Sequence, residues 1–146
     1  MRELLYLKDE QIKEFIEKLF LSYRDTFSDS KSVLDKYSLG IAHNKVIHLI
    51  SLYEGITISE LLKKLKVTKQ SLNRVLRDLI KTKMIKQIQD DEDTRKKNLF
   101  LDKEGKIFFD ALYNSQKKRI FNALKNSSSD SVIKFKNVLK KIIDGK

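Results

Sequence analysis

The apolar residues of this chain recur at spacings of three and four positions over most of its length, which is typical of helices with one buried face. The pattern predicts a first helix over residues 9–27, with Asp9 as its N-cap, and another over residues 41–53. A short helical turn is expected in the polar segment between them. Gly55 is predicted to end the second helix in a left-handed C-cap, and Ile56 to add one extended residue to a small sheet.

Two short helices joined by a tight turn are predicted next. Thr57 and Glu60 match a capping box at the start of the first of them. Thr68 is the expected N-cap of the second, because its hydroxyl can accept a backbone hydrogen bond there. The apolar stripe of this second helix consists of Leu72, Val75, Leu76, Leu79 and Ile80. Two helices so close together in sequence indicate a helix-turn-helix.

The other side of the second helix is short, polar and cationic. It consists of Thr68, Lys69, Gln70, Ser71, Asn73, Arg74 and Arg77. Asn and Gln side chains can form two hydrogen bonds with adenine, and Ser can donate or accept, so we expect Gln70, Ser71 and Asn73 to contact bases. The alternative is a solvated face in which Ser71 caps the helix and Arg74 pairs with Asp78, four positions along.

A β-hairpin is predicted directly after this helix, in the place of the wing of a winged helix. Residues 84–89 alternate apolar and polar side chains, and residues 98–102 have the composition of a returning strand. The tip between them joins four acids, at positions 90–93, to Arg95, Lys96 and Lys97. Since a phosphate backbone would repel the acids, one suitable arrangement places Arg95 in a narrow minor groove, with Asp93 bonded to Arg95 or to a backbone N–H.

The remaining helices have apolar faces that need a partner. A long helix capped by Asp102 is expected to extend to about residue 124, and a final helix to be capped by Ser129 or Asp130. The first and last helices are separated by the whole basic region, so we expect them to pack together and against a second copy. A two-fold pair would present two helix-turn-helix units to half-sites about one helical turn of DNA apart.

The sequence therefore predicts a mainly α (α+β) fold, a winged helix-turn-helix with N- and C-terminal helices that form a dimerisation region. All residues, 1–146, are assigned to a single domain. Residues 38–105 are expected to form the DNA-binding region, and residues 1–37 and 106–146 the dimerisation helices.

Composition narrows the function further. A net charge of +11 favours a polyanionic partner, nucleic acid first and an anionic membrane surface second, although a lysine-rich surface can also serve solubility alone. The absence of cysteine excludes disulfides and cysteine-ligated zinc and fits a cytoplasmic location. No signal peptide is expected in the acidic first segment, and no membrane span, because no apolar run has the roughly 20 residues that span a bilayer. A membrane is not among the expected partners.

The residues also give no sign of catalysis. His43 and His48 are five positions apart, so they lie on different faces of a helix and cannot form a zinc-binding HExxH pair. The sequence shows no Ser/His/Asp set, no glycine-rich phosphate loop and no pair of carboxylates in an apolar setting. We therefore expect neither an enzyme nor a bound cofactor or metal.

The wing sequence resembles a known family. Asp93-Thr94-Arg95, followed by Leu99-Phe100-Leu101 and Gly105, is similar to the D-x-R … L-x-L-T-x-x-G signature of the MarR family of bacterial transcriptional regulators. The helix from Thr68 and the segment LGIAHNKVIHLI before the helix-turn-helix also resemble that family, so the resemblance covers about residues 39–105. Two departures are Asp102, where the family usually has Thr, and the strongly acidic wing tip.

The resemblance implies a homodimer that binds pseudo-palindromic operators in double-stranded DNA. The polar side of the second helix would face the major groove, and Asp93, Arg95, Lys96 and Lys97 would form the wing contact. Many members of the family release DNA when a small aromatic or phenolic acid binds between the dimerisation and DNA-binding regions. Tyr23 and His43 are our candidates for lining such a pocket, although a lone histidine on a helix is more often structural.

We therefore expect a dimeric, sequence-specific transcriptional regulator, acting as a ligand-responsive repressor. Two alternatives stay open: a winged helix that binds a protein partner, and a nonspecific architectural DNA-binding protein. Salt-dependent binding to cognate and scrambled duplexes distinguishes all three.

Overall fold

Residues 4–146, which the structure describes, form seven α-helices and three β-strands in this computed structural model. The predicted dimerisation region also includes residues 1–3, which lie outside the described residues. After a short 3-10 helix at Leu5–Leu7, the first elements are α1 (Asp9–Ser28), α2 (Lys31–Asp35), α3 (Ile41–Leu52), β1 (Ile56–Thr57) and α4 (Ile58–Leu65). They are followed by α5 (Lys69–Lys81), β2 (Ile85–Gln89), β3 (Lys97–Leu101), α6 (Lys103–Lys125) and α7 (Ser129–Asp144).

The strands form one antiparallel sheet in the order β1-β3-β2. Ile85 pairs with Leu101 and Gln89 with Lys97, so β2 and β3 form the predicted hairpin. Ile56 pairs with Leu99, which confirms that this short segment joins the sheet. The wing is thereby hydrogen-bonded to the segment that opens α4.

The buried core comes from the middle of the chain. It includes Val46, Ile47 and Ile50 of α3, Leu61 of α4, Leu72, Leu76 and Leu79 of α5, Leu99 of β3, and Phe108 and Leu112 of α6. A fully buried aliphatic side chain of this kind contributes about 1.5–3 kcal/mol relative to an exposed one. Ile80 was expected in the same stripe but is 40% exposed. Eight residues after Leu72, the helix has rotated Ile80 about 80° from Leu72, to the edge of the stripe.

Side-chain caps define where several helices begin. The predicted caps Thr57, Thr68 and Asp102 are confirmed, since each accepts a backbone N–H at 3.2, 3.1 and 2.8 Å respectively. The predicted cap of α1 is wrong: Asp9 is its first helical residue, where a carboxylate is still favoured by the positive end of the helix. In α7 the cap is Ser128, rather than Ser129 or Asp130, because its hydroxyl reaches the N–H of the residue three positions on.

Gly55 has the expected left-handed backbone, with a φ of 88°, but a different role. The C-cap of α3 is Tyr53, whose N–H donates to the oxygen of Leu49 at 2.9 Å. The N–H of Gly55 donates instead to the oxygen of Leu99, also at 2.9 Å. Gly55 therefore turns the chain from α3 into the sheet.

The start of α6 lies unusually close to the segment before β2. The N–H of Asp102 donates to the oxygen of Met84 at 2.8 Å. A Cβ at Gly105 would lie 1.8 Å from that oxygen and 2.7 Å from its carbonyl carbon. Since both of these are backbone atoms, only glycine fits at this position of α6.

Replacing Gly105 with Ala should lower the free energy of unfolding by about 3 kcal/mol or more, because the backbone of Met84 would have to move. Gly40→Ala is the matched control, since nothing lies within 4 Å of a Cβ there, and it should change the stability by about 1 kcal/mol or less. Urea unfolding followed by circular dichroism, at one protein concentration, measures both. A Gly105→Ala variant as stable as the parent would contradict the close approach.

Candidate nucleic-acid interface

The turn before α5 sets the position of the helix that carries the predicted DNA contacts. Lys66 ends α4 with a left-handed backbone, at φ 53° and ψ 43°. Thr68 then caps α5 by accepting the N–H of Ser71 at 3.1 Å, and its hydroxyl donates to the Ser71 hydroxyl at 2.9 Å. The Ser71 side chain is thus part of the cap, which is the alternative role that the sequence allowed for it.

The polar side of α5 is fully presented to solvent. We call it the recognition face, and it consists of the exposed residues Thr68, Lys69, Gln70, Ser71, Asn73, Arg74 and Arg77. Leu72, Val75, Leu76 and Leu79 on the opposite side are buried, which fixes the rotation of the helix about its axis. The sequence-predicted contacts on α5 therefore lie together on one outward surface.

A shallow depression of about 520 Å³ brings further residues to the recognition face. Besides Gln70, Asn73, Arg74 and Arg77, its lining includes Ile58, Leu76, Ile80 and Gln87. Gln87 was not predicted as a site residue. The signal was present in β2, because strand alternation puts Gln87 on the same side as the buried Ile85, where an apolar residue would be usual.

The two arginines of the recognition face have no ionic partner within residues 4–146. Arg74 was a candidate for a pair with Asp78, but Asp78 Oδ2 lies 2.9 Å from His43 Nε2 of α3. Arg77 likewise appears in no ion pair among these residues. Both guanidinium groups are therefore available to an external anion.

The wing tip is held by one carboxylate. Asp93 Oδ1 accepts the backbone N–H of Arg95 at 3.1 Å and its Nε–H at 3.2 Å, so both predicted partners of Asp93 are present. These bonds, the backbone one first, hold the pKa of Asp93 below its ordinary value. The Arg95 side chain is 89% exposed. Lys96 is exposed at the tip, and Lys97 is exposed in the first position of β3.

Comparisons with known proteins identify the family that has this architecture. Residues 42–96 match the model of the MarR family. The HTH-type transcriptional regulator PetP of Rhodobacter capsulatus is 36% identical over 141 residues, which cover 97% of this chain and 85% of that protein. The chain belongs to the MarR family. It is thus a transcriptional regulator with a DNA-binding winged helix-turn-helix, as the resemblance predicted.

Solved MarR-family structures have the same fold. Staphylococcus aureus MarR in complex with salicylate and kanamycin is 22% identical, with a TM-score of 0.72 over 93% of this chain and 92% of that chain. A mutant of S. aureus MepR bound to an oligodeoxyribonucleotide is 18% identical, with a TM-score of 0.60 over 90% of this chain and 96% of that chain. Identities this low show the fold alone.

A second, larger groove of about 790 Å³ lies away from the recognition face of this MarR-family protein. Its lining comes from α1, α3, α4, α6, α7 and the turn after α4, and contains five lysines and no acidic residue. The lysines are Lys45, Lys63, Lys64, Lys66 and Lys117. Apolar side chains such as Phe27, Leu49 and Phe121 form much of the remaining wall. The groove combines a positive rim with an apolar surface.

The candidate pocket residues Tyr23 and His43 are not brought together there. Tyr23 packs against Phe27 with 4.8 Å between ring centroids and the ring planes tilted by 41°, and Lys45 Nζ lies 4.8 Å from the Tyr23 ring centroid. His43 is bonded to the N-terminus of α3 and to Asp78. His48 lines the groove instead, with its ring 5.8 Å from that of Phe109. Partial burial of the imidazole lowers the pKa of His48. Sequence spacing separated the two histidines but did not indicate which one faces the groove.

Metal-ligand clusters and membrane-spanning helices are both absent from residues 4–146. No group of three or more His, Cys, Asp or Glu side chains is placed to hold a metal ion. None of the helices has the length and apolar character needed to cross a membrane.

Proposed function

We propose that this protein binds a pseudo-palindromic operator in double-stranded DNA as a homodimer and represses transcription until a small ligand binds. The observation that carries the proposal is the recognition face, a row of exposed amide and cationic groups on a capped helix whose arginines have no ionic partner within residues 4–146. A helix of this kind fits the major groove of B-DNA, which is wide enough to admit it. Such a regulator acts on the chromosome, so we place it in the cytoplasm of a bacterial cell.

Each part of the interface has a distinct proposed role. Gln70, Asn73 and Arg74 would form base contacts, because their side chains can each make two parallel hydrogen bonds. Thr68, Lys69, Ser71 and Arg77 would border them in the major groove. Arg95 would enter the minor groove beside the wing, with Asp93 fixing the turn and Lys96 and Lys97 near the phosphates.

The homodimer is proposed from the apolar surfaces of the outer helices. α1 and α7 contain no buried residue, yet Ile16, Phe20, Phe135 and Ile143 are 55%, 57%, 49% and 75% exposed. Large apolar side chains exposed in this number on two helices are typical of an interface. In a two-fold dimer, the α1 and α7 surfaces of one copy would cover the same surfaces of the other copy. The two-fold axis would then place two recognition faces at paired half-sites in the DNA.

The ligand response is proposed from the lysine-rich groove. Its charge favours an anion and its apolar wall an aromatic ring, so a small aromatic or phenolic acid suits both. S. aureus MarR, which has the same fold, has been solved with salicylate. The groove touches α4 and the turn before α5, so a ligand there would bear on the position of the recognition face. We propose His48 and Lys45 as contacts of the ligand, with the Tyr23 ring packed against Lys45. His43 is not proposed as a ligand contact, because it is bonded to Gly40 and Asp78.

Sequence-specific DNA binding is tested by fluorescence anisotropy with two duplexes at two salt concentrations. One duplex carries an inverted repeat from the DNA upstream of the protein's own gene, and the other is its scrambled form. Asn73→Ala and Arg74→Ala should each reduce the preference for the repeat about tenfold, since one base contact contributes about 1–3 kcal/mol. Arg95→Ala should weaken binding to both duplexes alike, and the exposed Lys118→Ala of α6 serves as control.

Other outcomes would identify a different function. A steep salt dependence without preference between the duplexes indicates a nonspecific architectural protein. Absence of salt-dependent binding indicates a winged helix that binds a protein. Either result would contradict the proposed operator binding.

Placing a charge in the apolar face of α7 should prevent assembly. Phe135→Glu should give a monomer in analytical ultracentrifugation at micromolar concentration, because burying an unpaired carboxylate costs several kcal/mol. Lys136→Glu, the adjacent residue, introduces the same side chain at an exposed polar position and should leave the parent's assembly unchanged. A parent chain that sediments as a monomer would rule out the homodimer.

Salicylate serves as the probe for the lysine-rich groove. It should raise the Tm of the parent and release the inverted-repeat duplex at millimolar concentration, and Lys45→Ala should reduce both effects. Lys118→Ala, which removes one positive charge outside the groove, should respond like the parent. Equal responses of the two variants would show that salicylate does not act through this groove.

A further inference from the structure

His43 joins two helices through both nitrogens of its ring. The N–H of Gly40, at the N-cap of α3, donates to Nδ1 at 3.0 Å, and Nε2 lies 2.9 Å from Asp78 Oδ2 on α5. Because Nδ1 accepts a hydrogen bond, the proton of the neutral ring is on Nε2, which donates to the carboxylate. The His43 side chain is 15% exposed and the Asp78 side chain 47%, so the bond is shielded from water on the histidine side and open to it on the carboxylate side.

The location of Asp78 makes its partner important. It lies in the last third of α5, where the helix dipole disfavours an anion. It also lies four positions after Arg74, the spacing at which opposite charges on a helix pair with each other. A carboxylate free to turn toward Arg74 would occupy a guanidinium group of the recognition face. In the structure Asp78 is bonded across to α3, and Arg74 has no ionic partner within residues 4–146.

We propose that His43 is a positioning residue for DNA binding: it bonds the carboxylate of Asp78, on α5, to α3 and thereby leaves Arg74 free to contact DNA. His43 acts through Asp78 and does not touch DNA itself. The inference rests on the proposed function, because it assumes that Arg74 contributes to operator binding. His43 would thereby affect the sequence preference of binding although it is not part of the recognition face.

Two substitutions separate the bonds that His43 makes. In His43→Asn the amide oxygen takes the place of Nδ1 and keeps the bond to Gly40, but nothing replaces Nε2. In His43→Gln the longer amide takes the place of Nε2 and keeps a donor for Asp78, while the bond to Gly40 is lost. The pair is therefore matched, since each variant keeps a polar side chain and removes one of two bonds.

The first measurement needs no DNA. In the parent, Arg74→Ala should leave the Tm nearly unchanged at low salt, because Arg74 has no ionic partner to lose. In the His43→Asn background the same change should lower the Tm by about 1–2 °C, because a new Arg74–Asp78 pair is removed. An identical effect of Arg74→Ala in both backgrounds would overturn the inference, whether or not the protein binds an operator.

The second measurement is binding to the inverted-repeat and scrambled duplexes at low salt. His43→Asn should lower affinity for the repeat about two- to fivefold and reduce its preference over the scrambled duplex, while His43→Gln should resemble the parent. Asp78→Asn should restore the affinity of His43→Asn, because no carboxylate is then left to compete for Arg74. If His43→Asn stays weak with Asp78→Asn added, or if His43→Gln is as weak as His43→Asn, the inference is wrong.

These results are separable from the proposed function. If Arg74→Ala in the parent leaves DNA binding unchanged, the base-contact role of Arg74 fails, and the inference fails with it at that step. If Arg74→Ala weakens binding but His43→Asn does not, operator binding stands and only the role of His43 is overturned. Circular dichroism of each variant confirms that the compared proteins are folded.

Discussion

The structure depends on one close contact, between the backbone of α6 and the carbonyl group of Met84. The N–H of Asp102 donates to this oxygen, and Gly105 has no Cβ to force the two segments apart. The N–H of Met84 in turn donates to the oxygen of Leu79, at the end of α5. One residue therefore connects the recognition helix, the first strand of the wing and the start of α6. Phe108, one turn further along α6, can then enter the core.

Because these elements are fixed to one another, the placement of charge on them matters more than the net charge of +11. Acids near the recognition face and the wing turn have specific partners: Asp78 is bonded to His43, and Asp93 to Arg95. The arginines of α5 are left unpaired among the described residues, whereas the exposed Asp91 and Glu92 keep negative charge at the wing tip. Long-range attraction to DNA should accordingly be stronger at α5 than at the wing.

Local signals in the sequence predicted most of this architecture. Helical periodicity, the caps at Thr57 and Thr68 and the alternation of the hairpin each depend on residues within a few positions of one another. What the sequence did not predict depends on contacts across the fold. Which histidine faces the groove, the bond from His43 to an acid 35 residues away, and the clash that excludes a side chain at Gly105 all require the packed structure. No periodic pattern contains that information.

Buried apolar residues group the helices differently from their order in the sequence. The winged helix-turn-helix buries its own hydrophobic residues, and α6 joins it through Phe108 and Leu112. Polar bonds link the end of α1 and the residue after it to α6. Gln116 donates to the oxygen of Thr26 at 3.0 Å, and Arg119 makes two bonds to Asp29 at 2.6 and 3.1 Å, which lower the pKa of Asp29. Polar bonds of this kind leave the apolar faces of α1 and α7 without a cover within residues 4–146, where Phe20 and Ile143 are 57% and 75% exposed. If a second copy supplies that cover, the ordering of these helices is coupled to protein concentration, and so is the spacing of the two recognition faces.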